Sequence, residues 1–192
     1  MTQPGEPYEF VFRALLTEQA LDSAGRRGRH SGLFDHDLEA AVSLDLLNEH
    51  FVANARRMAV VYTAVAAFEN MVRDLVSGVL LEAYGENWWQ TRVSERVRRR
   101  AEGRREDEQK HRFHKQRGEA PIYYSEFGDL INIIRANWSD FEAFFPTPEW
   151  AASIVEAVER SRNVIMHSGT LDAEDVARVG IHIRDWIKQV GA

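Results

Sequence analysis

Apolar residues recur along most of the chain at intervals of three and four positions, the period that predicts amphipathic α-helices. No stretch alternates apolar and polar residues as a half-buried strand does, and only five prolines interrupt the pattern. The pattern predicts an all-α fold, a single-domain bundle of about six helices. We expect residues 1–35 to form an N-terminal helix and a basic, glycine-rich loop, and residues 36–192 to form the helical domain.

The first half of the chain predicts one short helix and one long one. Residues 8–22 form the first candidate, and a second begins near residue 36 and continues through the apolar stretch 58–81. That span is too long for an ordinary helix, so we expect a bend or break within residues 42–50. Gly85 follows as the residue that ends the helix, because glycine readily adopts the left-handed conformation after a last turn.

The second half predicts further helices separated by short connections. Asn87 is expected to cap a helix that runs through Val93 and Val97 into a basic segment, and residues 111–121 are expected to form a loop. The last three helices are expected to open at Ser125, Pro148 and Leu171-Asp172, with Gly169 ending the second of them. The five tryptophans fall on apolar stripes or at element ends, so we assign them to the core.

Composition narrows the possible chemistry. The chain has 192 residues and no cysteine, which excludes disulfides, thiolate zinc sites and cysteine nucleophiles. The N-terminus carries no signal-peptide pattern. Glu69 and Arg73 interrupt the apolar stretch 58–81, and such charges are costly in lipid, so we expect a core helix, no membrane association and a cytoplasmic protein. The histidines show no zinc-ligand spacing apart from His111 and His114, so no metal or other cofactor is expected.

Charge is distributed unevenly. The net charge is −6, yet residues 91–117, which we call the basic arm, carry 11 Lys and Arg against 5 Asp and Glu. A solvated helix face followed by a loop is the default interpretation of such a run. The alternative is a surface that contacts the phosphates of RNA through its arginines, or an acidic partner protein. The candidate phosphate ligands are Arg98, Arg99, Arg100, Arg104 and Arg105.

The segment ERSRNVIMHSG, residues 159–169, concentrates polar chemistry near the end of a predicted helix. Asn163 and His167 are four residues apart and share a face opposite the apolar stripe, with Arg162 at its flank. The simple interpretation is structural: His167 meets the negative end of the helix dipole, and Arg162 pairs with Glu159 one turn earlier. The chemical interpretation is a metal-independent ribonuclease site, because histidine transfers protons near neutral pH and arginine binds phosphate.

The string RNVIMH, residues 162–167, resembles the R-x4-H motif of the HEPN superfamily (higher eukaryotes and prokaryotes nucleotide-binding), in which a polar residue follows the arginine. AFENMVRDL, residues 67–75, is similar to the E-x-x-x-R element of some HEPN proteins. The tryptophans and the segments at 124–141 and 178–186 resemble one branch in particular. It includes the HEPN module of a nuclear transcript-surveillance endonuclease and stand-alone bacterial relatives. The resemblance covers residues 40–190.

This resemblance implies a helical bundle that dimerises, so that two R-x4-H motifs form one composite ribonuclease site. It implies Arg162 and His167 as the catalytic pair and Asn163 as a positioning residue. It also implies an RNA substrate cleaved through a 2′,3′-cyclic phosphate, and a bacterial toxin or antiphage effector, which an antitoxin or another defence protein restrains. A HEPN module that only binds nucleotides or partner proteins is the alternative, and a helical adaptor without nucleic acid is a third.

Glu69 and Arg73 are four residues apart, which makes an intrahelical ion pair the simple interpretation. Their position inside an apolar run favours a second one, because buried charges require partners. We therefore hypothesise that Glu69 also holds Arg162 and orients its guanidinium.

Overall fold

The computed structural model describes residues 17, 21, 37–111 and 113–191, and every regular element in these ranges is a helix, which confirms the all-α prediction. The predicted loop 24–32 and all of helix 8–22 except Thr17 and Leu21 lie outside the described residues. Contacts divide the chain into residues 1–53 and 54–192. In the first unit residues 37–41 are helical and Leu44–Leu46 form a 3-10 turn. No described helix combines the length and apolar character needed to cross a bilayer.

The first long helix, α1, spans Glu49–Tyr84 and is the longest element described. The predicted break within 42–50 is confirmed, because Ser43 has a φ of 54° before the 3-10 turn. The predicted end is confirmed as well: Gly85 has a φ of 66°, a conformation that glycine adopts without strain. The inward side of α1 is fully buried, whereas Leu46, Leu47 and Phe51 near its start are exposed.

The prediction of one helix from Trp88 through Val97 is wrong in one respect. The segment forms two helices, α2, Trp88–Arg92, and α3, Glu95–Lys110. Ser94 separates them, with an extended backbone and a side chain that accepts a hydrogen bond from the Val97 N–H. Asn87 occupies the expected cap position of α2, but its side chain makes no capping hydrogen bond. The loop predicted at 111–121 is confirmed in its described residues up to the 3-10 turn Pro121–Tyr124.

Four further helices follow, and side chains cap the start of three of them. They are α4, Phe127–Ala136; α5, Trp138–Phe141; α6, Pro148–Met166; and α7, Ala173–Val190. Ser125 does not open α4 as predicted, because Glu126 and Asp129 form a reciprocal capping box one residue later. Thr147 and Asp172 cap α6 and α7 with side-chain oxygens, and the predicted starts at Pro148 and at Leu171-Asp172 are confirmed.

Aromatic side chains form the centre of the core in the unit 54–192. Trp186 of α7 lies 5.4 Å from Phe68 of α1, 4.7 Å from Phe145 and 6.3 Å from Trp150, measured between ring centroids. Such contacts add to the free energy gained by burying large rings. The assignment of the tryptophans to the core is confirmed: Trp88, Trp89 and Trp186 are buried, and Trp138 and Trp150 pack against the core.

One buried carboxylate, that of Asp129, which is only 2% exposed, pairs with two arginines of the basic helix α3. Arg104 Nη1 lies 2.8 Å from Asp129 Oδ2, and Arg100 Nη1 lies 3.3 Å from Oδ1. Arg104 also donates to the Tyr124 carbonyl oxygen at 2.8 Å and pairs with Glu126 at 3.0 Å. Two arginines of α3 therefore hold the start of α4 in place.

Replacement of Asp129 by asparagine is expected to lower the free energy of unfolding by about 2–4 kcal/mol, because it leaves two guanidinium groups without their shared anion. Urea unfolding followed by circular dichroism measures this change. The matched control is Asp107→Asn, since Asp107 pairs with Lys110 on the exposed side of the same helix. That substitution is expected to have little effect on stability, because an ion pair between exposed side chains is screened by water. Equal losses for the two variants would contradict the assigned role of Asp129.

Candidate functional site

The last turn of α6 places the three residues of the R-x4-H motif at one end of the helix. Arg162 and Asn163 lie within the helix, and His167 follows Met166 as the C-cap residue. The helix ends one residue earlier than predicted, because Ser168, with a φ of 61°, adopts the left-handed conformation expected of Gly169. The Gly169 N–H then donates to the Val164 carbonyl oxygen at 2.8 Å, which satisfies an otherwise unpaired helical carbonyl.

Arg162 points toward α1. Its Nε lies 3.8 Å from Oε2 of Glu69, and its Nη1 lies 3.4 Å from Oδ1 of Asn163. The pairing of Arg162 with Glu69 rather than with Glu159 is the arrangement hypothesised from the apolar setting of Glu69. The Arg162 side chain keeps 29% of its surface exposed, so a phosphate in solution can still approach it.

Glu69 is buried, with 8% of its surface exposed, and two cations share its carboxylate. One oxygen pairs with Arg73 on the next turn of α1, and the other faces Arg162. Arg73 in turn donates to the Ser125 carbonyl oxygen at 2.9 Å. A buried carboxylate needs such partners to remain ionised, and here the partners join α1, α6 and the segment before α4.

Glu159 adds a second acid beside the motif. Burial raises the pKa of the Glu159 carboxyl, the neighbouring Glu126 and Glu69 carboxylates raise it further, and the Gly128 backbone N–H and Arg162 act in the opposite direction. The helical period places Glu159 on the same face of α6 as Asn163 and His167, but its side chain is half-buried and faces the Gly128 backbone N–H at the start of α4. Only the packing of α6 on α4 reveals this, and the helical pattern carries no signal for it.

Asn163 and His167 are exposed, as the helical wheel predicts. The His167 imidazole makes no hydrogen bond or ion pair with any residue that the structure describes, which leaves both ring nitrogens accessible. An imidazole with free nitrogens accepts and donates protons, and an adjacent guanidinium stabilises the extra negative charge of a phosphorane. Within the described ranges no cluster of three or more His, Cys, Asp or Glu side chains is suited to a metal ion.

The arginines of the basic arm differ in their surroundings. Arg100 and Arg104 face Asp129, so much of their charge is neutralised within the fold. Arg99 is largely exposed and pairs with Glu95 one turn earlier. The two remaining candidates, Arg98 and Arg105, are partly buried. Arg98 also donates a hydrogen bond to Gln90. A role of all five in RNA binding stays a prediction, and the geometry leaves Arg99 the most accessible of them.

A comparison with protein families gives a match over most of the chain. The model described as Swt1-like HEPN matches residues 63–191, a range that includes Glu69, Arg73 and the R-x4-H motif. HEPN domains are ribonuclease-type or nucleotide-binding modules. No curated protein and no solved structure shows a significant match.

The raised pKa of Glu159 predicts a measurable effect of pH on stability. The native state holds this proton more tightly than the unfolded chain does, so wild-type stability falls as pH rises from the ordinary glutamate pKa through the raised one. Glu159→Gln removes this dependence. The free energy of unfolding of the variant, relative to wild type, is expected to increase from pH 4 to pH 7. Urea unfolding at both pH values measures it.

Glu156→Gln is the matched control for this experiment, because Glu156 lies on the same helix and is exposed. A difference between Glu159→Gln and wild type that stays constant from pH 4 to pH 7 would show that the Glu159 carboxyl is not perturbed by its surroundings.

Proposed function

The chain belongs to the Swt1-like HEPN family, and from this premise we propose that it is a metal-independent endoribonuclease that acts as a homodimer. Arg162 and His167 are its catalytic residues and Asn163 is a positioning residue. The observation that carries the proposal is the ion pair of Arg162 with Glu69, since it orients a partly exposed guanidinium at the end of α6 that also carries the exposed His167.

In the proposed reaction the neutral His167 imidazole takes the proton from a ribose 2′-hydroxyl. The 2′ oxygen attacks the adjacent phosphorus, and the bond from phosphorus to the 5′ oxygen breaks. The products are a 2′,3′-cyclic phosphate and a 5′-hydroxyl, whose proton comes from the protonated imidazole of the second protomer. Arg162 binds the non-bridging oxygens of the phosphorane, where negative charge accumulates.

Two apolar side chains beside the motif support the dimer. Val164 is 41% exposed and Met166 is 53% exposed, although both belong to the turn that carries Arg162. Exposed apolar groups next to functional residues are typical of an interface that a partner covers. A second copy that covers this turn brings two Arg-His pairs into one cleft and excludes water from it.

The basic arm supports an RNA substrate. Its exposed arginines provide phosphate contacts whose strength falls with salt concentration. We propose that Arg99, together with the outer parts of Arg98, Arg100, Arg104 and Arg105, contacts the RNA backbone. The resemblance to bacterial HEPN toxins supports a role in toxin–antitoxin or antiphage defence, with an antitoxin or another defence protein as partner.

Arg162→Ala and His167→Ala are each expected to reduce RNA cleavage at least about 100-fold, because each removes one half of the proposed machinery. Cleavage of a labelled RNA in the presence of EDTA measures this loss, and EDTA itself is expected to have no effect on the wild type. Circular dichroism and light scattering check that the variants keep their fold and their dimer.

The matched control is His182→Ala, since His182 lies on α7 outside the motif, and full cleavage is expected.

Expression of the wild type in bacteria is expected to arrest growth, and expression of His167→Ala is not. Loss of cleavage with EDTA would contradict a metal-independent mechanism. A wild-type dimer that binds nucleotides or a protein but cleaves no RNA would favour the non-catalytic alternative.

A further inference from the structure

A cleft of about 260 Å³ lies between the early part of α1 and the connection from α6 to α7. At its base the Leu171 N–H contacts the Met58 sulfur, with 3.3 Å between nitrogen and Sδ. The residues that line the cleft are Asn54, Arg57, Met58, Thr170, Leu171 and Asp172. None of them belongs to the R-x4-H motif or to the basic arm.

The lining combines one cation with several neutral and acidic polar groups. Arg57 is exposed, and its guanidinium makes no hydrogen bond or ion pair with other residues in the described part of the chain. Asp172 uses Oδ1 to accept a hydrogen bond from the Asp175 N–H at 2.8 Å, which leaves Oδ2 for another donor. The Thr170 hydroxyl supplies a further donor and acceptor, and Met58 supplies an apolar surface.

The cleft is close to the proposed catalytic histidine. Only Ser168 and Gly169 separate His167 from Thr170, and consecutive Cα atoms are 3.8 Å apart, so the two Cα atoms are within about 11 Å of each other. The cleft therefore lies next to the segment that carries His167.

We propose that this cleft binds the base of a nucleotide next to the cleaved phosphate and selects it, an inference that rests on the proposed ribonuclease function. The volume is below the roughly 300–1,000 Å³ of pockets for drug-sized ligands and suits a single base. Arg57 stacks on the face of the base, because a guanidinium is planar and weakly hydrated. Thr170 and Asp172 read its edge through hydrogen bonds.

Titration of the full-length protein with AMP, GMP, CMP and UMP, followed by NMR of the backbone amides, tests the cleft. One of the four nucleotides is expected to bind most tightly and to shift the amide signals of Thr170 and Leu171. Arg57→Ala is expected to weaken this binding about tenfold or more. Arg135→Ala is the matched control, since Arg135 is an exposed arginine on α4. This variant is expected to bind the nucleotide with the affinity of the wild type.

Because this titration needs no cleavage, its result is independent of the proposed function. If the protein binds a base at Thr170 and Leu171 but cleaves no RNA, the proposed ribonuclease function is refuted and the proposed base site stands. If no nucleotide shifts these signals, or if Arg57→Ala binds as well as Arg135→Ala, the cleft is not a base site. With cleavable RNAs that differ in one base, Arg57→Ala is expected to lose the preference of the wild type for the base selected in the titration.

Discussion

A single buried carboxylate, that of Glu69, links the three parts of the chain that form the candidate site. An acid inside an apolar helix is unfavourable unless cations neutralise it. Arg73 and Arg162 provide that charge from α1 and α6. Arg73 extends the connection to the Ser125 carbonyl oxygen before α4. The position of the Arg162 guanidinium is therefore a consequence of how the bundle satisfies one buried charge.

A second carboxylate, Asp129, does the same for the basic helix α3. Arg100 and Arg104 converge on it, and Arg104 also reaches the Tyr124 carbonyl oxygen. Asp129 lies four residues after Ser125, so both charge networks end on the same short segment before and within α4. The segment 124–129 thus connects the basic arm to the motif-bearing helix. The proposed RNA contacts of the arm and the proposed chemistry at Arg162 would therefore share one structural support.

Sequence predicts the helices and the motif well because both depend on local pattern. The 3.6-residue period places Asn163 and His167 on the exposed side of α6, and the apolar setting of Glu69 indicates its need for a distant cation. Contacts between residues far apart in the chain are not encoded in that pattern. Arg104 points inward because it pairs with Asp129, 25 residues later in the sequence. Glu159 is half-buried because α6 packs against α4. The cleft between α1 and the connection from α6 to α7 likewise joins distant residues, since Leu171 contacts Met58, 113 residues earlier.

A double-mutant cycle between Glu69 and Arg162 tests the central claim that Glu69 positions the catalytic guanidinium. The rate of RNA cleavage is measured for wild type, Glu69→Gln, Arg162→Lys and the double variant, together with the free energy of unfolding of each. Our account predicts that Glu69→Gln alone slows cleavage roughly 10- to 100-fold, because a misplaced catalytic group loses rate steeply. In the Arg162→Lys background, Glu69→Gln is expected to change the rate of RNA cleavage little further. Cleavage by Glu69→Gln at the wild-type rate, with unchanged stability, would contradict the account.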